Sequence, residues 1–184
     1  MTKFEIVEAK PWHCGAMARM LRHRHLAIVE QAGVNVHREL RQCFDASAFR
    51  RAWLIDGELA AIGGVMGTLA SPTGTIWLAL SERATRYPLA IVKEARRQIA
   101  DIMATRQQIL TSIVFGDDAA RRLAIFLNFH VAHDGVGDAA YSRAARKALS
   151  QAVETYDERI VSFGGVRAVI MGYRAEELEW ASQL

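Results

Sequence analysis

Asp56-Gly57 stands between two apolar runs, Ala52-Trp53-Leu54-Ile55 and Leu59-Ala60-Ala61-Ile62-Gly63-Gly64-Val65. A two-residue connection of this kind reads as a hairpin turn, because both positions take positive φ and Asp-Gly tolerates it. A third run, Thr75-Ile76-Trp77-Leu78-Ala79-Leu80, follows the turn Ser71-Pro72-Thr73-Gly74. Three strands joined by tight turns make an antiparallel meander. The rest of the chain must then supply helices that cover the faces of a sheet.

The flanking segments supply them. Phe4 to Ala9 alternates as a first strand. Pro11 suits the first turn of a helix, where its missing N–H costs nothing. Met17, Met20, Leu21 and Ile28 carry helical spacing from His13 to about Gln31, and Gly33 ends it. Leu40, Phe44 and Phe49 predict a second helix over 36–50. Pro88 opens a long helix over 88–105 with Leu89, Val92, Ala95, Ile99, Ile102 and Met103 on one face. Ile109 to Phe115 reads as a buried strand, and Asp117 as the N-cap of a helix over 118–127. Phe129 to His133 and Val166 to Tyr173 read as further strands, the last at a sheet edge. Between them, residues 138–160 read as an amphipathic helix with Tyr141, Ala145, Ala148, Ala152 and Tyr156 on one stripe.

Composition narrows the function classes. The chain has 184 residues, half of them hydrophobic, and a formal net charge of +3. Its cationic residues are spread evenly, eleven in 1–92 and twelve in 93–184, so no basic tail or patch argues for nucleic acid. Two cysteines, Cys14 and Cys43, do not make a disulfide framework and point to a reducing compartment. Charges within Thr2 to Glu8 break any signal-peptide core, and no run approaches the roughly 18 apolar residues of a membrane span. Cytoplasmic synthesis is expected.

The order β-α-α-β-β-β-α-β-α-β-(α)-β resembles that of the GNAT family of N-acetyltransferases, with the 138–160 helix as an insertion. Asp117-Asp118-Ala119-Ala120-Arg121-Arg122-Leu123-Ala124-Ile125-Phe126-Leu127-Asn128-Phe129 is similar to that family's pattern of a polar cap, alanine three later, leucine six later and a closing Gly-Phe. Here Asn128 replaces the glycine, and both residues tolerate the left-handed conformation at a helix end. The stretch from about His25 to Gly135 is closer still to GNAT-like proteins of tailed bacteriophages and prophages, which include an internal virion protein of short-tailed phages. Ala52-Trp53, Ala61-Ile62-Gly63-Gly64, Ile76-Trp77-Leu78 with Ser81, and Arg96-Arg97 carry that likeness. The resemblance implies a single α/β domain over 1–184, with a mixed, mostly antiparallel sheet of about seven strands flanked by helices. It implies acetyl-CoA as acyl donor, a cytoplasmic or virion location, and a phage protein, a host protein or another copy of the chain as partner. The Tyr141–Tyr156 stripe accordingly has two readings, cover for the sheet or an interface.

Two chemical requirements of acetyl transfer can be checked against the residues. Family members cradle the CoA pyrophosphate in a glycine-rich turn at a helix N-terminus, where backbone N–H groups face the phosphates. This chain has Ser81-Glu82-Arg83-Ala84-Thr85-Arg86-Tyr87-Pro88 there, with no glycine. Arg83 and Arg86 can supply charge and Thr85 a hydroxyl, so these three are the candidate cofactor-binding residues. Many members protonate the leaving thiolate with a tyrosine seven residues after the cap, and that position is Ala124. Of the four tyrosines, Tyr87, Tyr141 and Tyr173 are the candidates to substitute for it. Glu58 and Glu82 are the candidate bases for the acceptor amine. No metal site is expected: His23 and His25 point to different faces of a helix, and His130 and His133 to different faces of a strand. Cys43 beside Phe44 reads as a small buried group rather than a nucleophile.

Overall fold

The computed structural model describes residues 2–31, 33, 35–114, 117–131, 160–163 and 166–174. The helix expected over 138–160 lies outside them up to its last residue. Among the described residues no helix is long and apolar enough to cross a membrane. The chain forms two compact units, Met1–Ser71 with Thr75–Ile99, and Pro72–Gly74 with Ala100–Leu184.

The first unit is built on the meander. Strands β1 (Phe4–Glu8), β2 (Ser47–Ile55), β3 (Glu58–Met66) and β4 (Thr73–Leu80) pair antiparallel in sequence order. Asp56 and Gly57 take φ of 53° and 79°, as the hairpin requires. The Asp56 carboxylate also accepts the backbone N–H of Lys3 at 2.8 Å, which ties the turn to the start of β1.

Helices α1 (Pro11–Met20) and α3 (Val36–Asp45) cover one face of this sheet. Cys14 and Met17 of α1 and Leu40 and Phe44 of α3 pack with Ala52, Ile62 and Ala79 of three successive strands. Pro11 opens α1, and buried His13 accepts the backbone N–H of Lys10 through Nδ1 at 2.7 Å. Burial lowers the His13 pKa, so the ring stays neutral and free to accept. The Asn35 side chain caps α3 by accepting from Arg38 N at 2.9 Å.

Two expectations for this region need correction. The helix expected from His13 to Gln31 is two helices, α1 and α2 (His23–Gln31), separated at Leu21. Leu21 turns extended (φ −57°, ψ 143°) and forms a bridge to Ser81, where its side chain is buried. The helix expected over 36–50 stops at Asp45, because Ser47 to Arg50 are needed to pair with β3. Phe49 is a strand residue, and its ring takes the Arg51 guanidinium at 4.3 Å.

Gly64 shows why the meander carries glycines. A Cβ there would lie 2.4 Å from the Phe49 carbonyl oxygen and 3.1 Å from Trp77 Nε1. The space it leaves lets Trp77 Nε1 donate to Ser47 Oγ at 2.8 Å across β3, while Ser47 Oγ donates to the Cys43 carbonyl at 2.6 Å. Trp77 thereby joins β4 to β2 and the end of α3. Trp53 packs separately, its ring tilted against Phe4 at 6.3 Å.

Helix α4 (Pro88–Met103) buries Ile91, Ala95, Ile99 and Met103, a stripe with steps of four. Leu89, expected on that stripe, is 83% exposed because it lies two residues away from it. In the second unit β5 (Gln108–Val114), β6 (His130–Val131) and β7 (Ile160–Phe163) all pair antiparallel with β8 (Val166–Arg174). The last strand is therefore a shared partner and not an edge. The short apolar run Ile160 to Phe163, missed in the sequence, forms the hairpin arm that occupies it. Asp117 caps α5 (Asp118–Phe126) as expected, accepting from Ala120 N at 3.0 Å, and Asn128 closes it at φ 66°.

Two substitutions check these arguments. Gly64→Ala is expected to cost about 1–3 kcal/mol, since backbone must shift to admit the methyl group. Asp117→Ala is expected to cost about 0.5–2 kcal/mol, with Asp117→Asn near wild type because asparagine still accepts. Urea midpoints at matching m-values give both numbers.

Candidate functional site

The segment that leaves β4 is structured rather than a solvated loop. Ser81 is fully buried, with its N–H donating to the Ala60 carbonyl at 2.8 Å. Its hydroxyl lies 3.0 Å from the carbonyl oxygens of both Leu59 and Ala60. Glu82–Arg86 then winds into a 3₁₀ turn around buried Ala84. Ala84 N donates to Ser81 O and Tyr87 N to Ala84 O, each at 3.1 Å, and Thr85 Oγ1 donates to Glu82 O at 2.7 Å. The N–H groups of Ala84 and Tyr87 are spent inside the turn. A phosphate here would rely on side chains more than in a glycine-rich cradle.

The candidate residues divide into two groups. Arg83 turns back onto the β2–β3 hairpin. Its Nε donates to the Ile55 carbonyl at 3.1 Å, and its guanidinium pairs with Glu58 at 2.5 Å and Asp56 at 3.5 Å. That side chain is only 21% exposed, so two of the sequence candidates, Arg83 and Glu58, engage each other. Thr85 and Arg86 face solvent on the turn. Glu82 reaches the start of α2, its carboxylate 3.4 Å from His23 N and 3.5 Å from His23 Nδ1. An acid at a helix N-terminus is favourable there, and it comes from 59 residues away.

Sequence reasoning missed the segment Leu21-Arg22. Besides the Leu21–Ser81 bridge, Arg22 N donates to the Leu80 carbonyl at 3.2 Å. The junction between α1 and α2 is thus docked on the end of β4, beside the candidate turn. A signal was present: the apolar spacing that runs through Met17 and Leu21 next falls on Arg24 and His25, which are polar.

The remaining candidates are placed as follows. Ala124 is buried in α5 and offers no proton. Tyr87 is half-buried between the 3₁₀ turn and α4, Tyr173 lies opposite Ile109 in β8, and Tyr141 lies outside the described residues. Cys43 is half-buried rather than buried as expected, yet the burial it has pushes its thiol up to about 11, which keeps it protonated at neutral pH. Cys14 is a free, buried thiol whose Sγ donates to the Leu40 carbonyl at 3.8 Å. Among the described residues no group of three or more His, Cys, Asp or Glu could hold a metal ion. His133 lies outside them.

Comparison with solved structures decides the fold. An aminoglycoside acetyltransferase in complex with coenzyme A superposes with a TM-score of 0.62 at 11% identity, covering 98% of this chain and 99% of that one. The fold is the GNAT fold. Mycobacterium smegmatis RimJ, in complex with CoA-disulfide, gives 0.58 at 11% identity over 95% of this chain and 83% of its own. The ribosomal-protein-S18-alanine N-acetyltransferase from Escherichia coli gives 0.57 at 12% identity, with 94% of each chain covered. No family model matches the sequence, and no curated protein matches it.

The role of Arg83 in holding the turn is open to direct measurement. Arg83→Ala removes the charged side-chain donor to the Ile55 carbonyl and its pairing with Glu58, and is expected to cost about 1–3 kcal/mol in unfolding free energy. Glu58→Gln keeps that carbonyl bond and removes only an exposed charge, so it should cost no more than about 1 kcal/mol.

Proposed function

We propose that this protein is a CoA-dependent N-acyltransferase of the GNAT type, acting on an amine. The observation that carries the reading is the fold likeness, over nearly the whole chain, to acetyltransferases solved with coenzyme A bound. The 3₁₀ turn after β4 is the proposed phosphate contact, with Arg86 as its exposed cation; the Thr85 hydroxyl would add a donor only by leaving the Glu82 carbonyl. Arg83 serves the same site by fixing the turn against the hairpin. Glu82 is the proposed base, because Glu58 already answers Arg83.

Acetyl-CoA supplies an acyl group activated as a thioester, with a leaving thiolate about as basic as that of cysteine, roughly pKa 8.5. Glu82 would take the proton of the acceptor amine. With Ala124 at the usual tyrosine position, this chain forgoes an acid worth typically 10²–10⁴-fold, so turnover should be slow. The same alanine favours a second reading, in which a phage or prophage protein keeps the fold as a non-catalytic packing or interaction module, in the cytoplasm or the virion.

Calorimetry with acetyl-CoA separates the two. Side-chain cations without a full backbone cradle give weak binding, on the order of 0.1–1 mM. Exposed charges are screened within about 8 Å at physiological ionic strength, so affinity should fall as salt rises. Arg86→Ala should remove most of the saturable heat. No saturable heat at millimolar acetyl-CoA and low salt would leave the non-catalytic module as the function.

A further inference from the structure

Five described arginines are buried or half-buried: Arg22, Arg50, Arg51, Arg83 and Arg106. Four of them have acceptors for their guanidinium groups. Arg50 donates to the Phe44 carbonyl, Arg51 to the Arg50 carbonyl, Arg83 to Ile55 and Glu58, and Arg106 to the Thr73 carbonyl. Arg22 is the exception. Its Nε is buried and donates to nothing among the described residues, and no described carboxylate pairs with it.

A buried guanidinium N–H without an acceptor is costly, and such groups are rare unless a ligand completes them. The position of Arg22 says which ligand. Its backbone is hydrogen-bonded to the last residue of β4, and its neighbour His23 contacts the Glu82 carboxylate. The Arg22 backbone and the half-exposed Glu82 carboxylate, which contacts the next residue His23, therefore meet at the α1–α2 junction beside the candidate turn. The planar fork of arginine matches a carboxylate in two-point contact. Glu82 offers the opposite charge to an ammonium group.

We propose that Arg22 binds the carboxylate of a zwitterionic acceptor, so that the amine acylated here belongs to a free α-amino acid. This rests on the acyltransferase reading and names its substrate class. Arg22 would orient the acceptor by its carboxylate and present its amine to Glu82. The ammonium first gives one proton to Glu82; the freed amine then attacks, the N–C bond forms as the thioester C–S bond breaks, and CoA leaves as a thiolate that takes up the second proton of the nitrogen.

The test uses the full chain with saturation-transfer NMR and a panel of free L-α-amino acids, each with and without acetyl-CoA. At least one should bind with a Kd on the order of 1–10 mM. Its α-carboxamide should bind roughly tenfold to a hundredfold more weakly, the loss expected for a charge-assisted contact. Arg22→Gln should erase the difference between acid and amide while leaving acetyl-CoA affinity unchanged. Arg22→Lys, which keeps the charge but not the fork, should retain part of it. Acetyl-CoA binding with no amino acid bound, or acid and amide bound equally by the native chain, overturns the assignment of Arg22 alone. Loss of acetyl-CoA binding itself overturns the acyltransferase reading instead. The native acid-to-amide comparison decides even if Arg22→Gln does not fold.

Discussion

The buried end of β4 is where the first unit is held together. Ser81 has no solvent contact and must satisfy its backbone and hydroxyl internally, which it does on Leu59 and Ala60 of the neighbouring strand. Once β4 is pinned there, the 3₁₀ turn has a fixed origin and the junction of α1 and α2 has a fixed dock. The geometry around Glu82, Arg83 and Arg22 follows from that pin. A serine at this place does what a larger apolar residue could not, because a carbonyl pair lies within reach of its Oγ.

The candidate site also illustrates how charge is divided by burial. Arg83 and Arg86 are three residues apart in sequence and look equivalent as cations. The turn separates them: one is drawn over the hairpin to a buried carbonyl, and the other stays in water. An arginine satisfied by protein acceptors stabilises the fold, whereas one left exposed is available to a phosphate. Glu58 and Glu82 part in the same way, one facing Arg83 and the other the start of α2.

Much of this was legible in the sequence because it depends on neighbours along the chain. The Asp56-Gly57 hairpin, the Asp117 cap, the Asn128 closure and the start of α4 at Pro88 are local choices of backbone conformation or of a cap within four residues. What the sequence concealed depends on distant partners. Near Leu21 the helix break shows only as a lapse of apolar spacing at Arg24 and His25, with neither proline nor glycine at hand, and the extended residue is stabilised by Ser81, sixty positions on. Phe49 fits a helical stripe as well as a strand until β3 claims it. The roles of Arg83 and Glu82 were hidden for the same reason, each resting on a contact more than twenty residues away. The missing tyrosine at 124 was plain from the start, because an absent proton needs no geometry to recognise.

The placement of β8 has a consequence for how the chain is made. Within the second unit β5, β6 and β7 all wait for residues 166–174, and the first of these pairings, Gln108 with Arg174, spans most of that unit. The meander of the first unit needs nothing beyond Leu80. As the polypeptide emerges from the ribosome, the meander can therefore close early, while β5 stays without its β8 ladder until β8 has been synthesised. Long-separated pairings of that kind are slow to form and leave strands exposed in the meantime. A nascent chain stalled between β5 and β8 would be the species most in need of a chaperone.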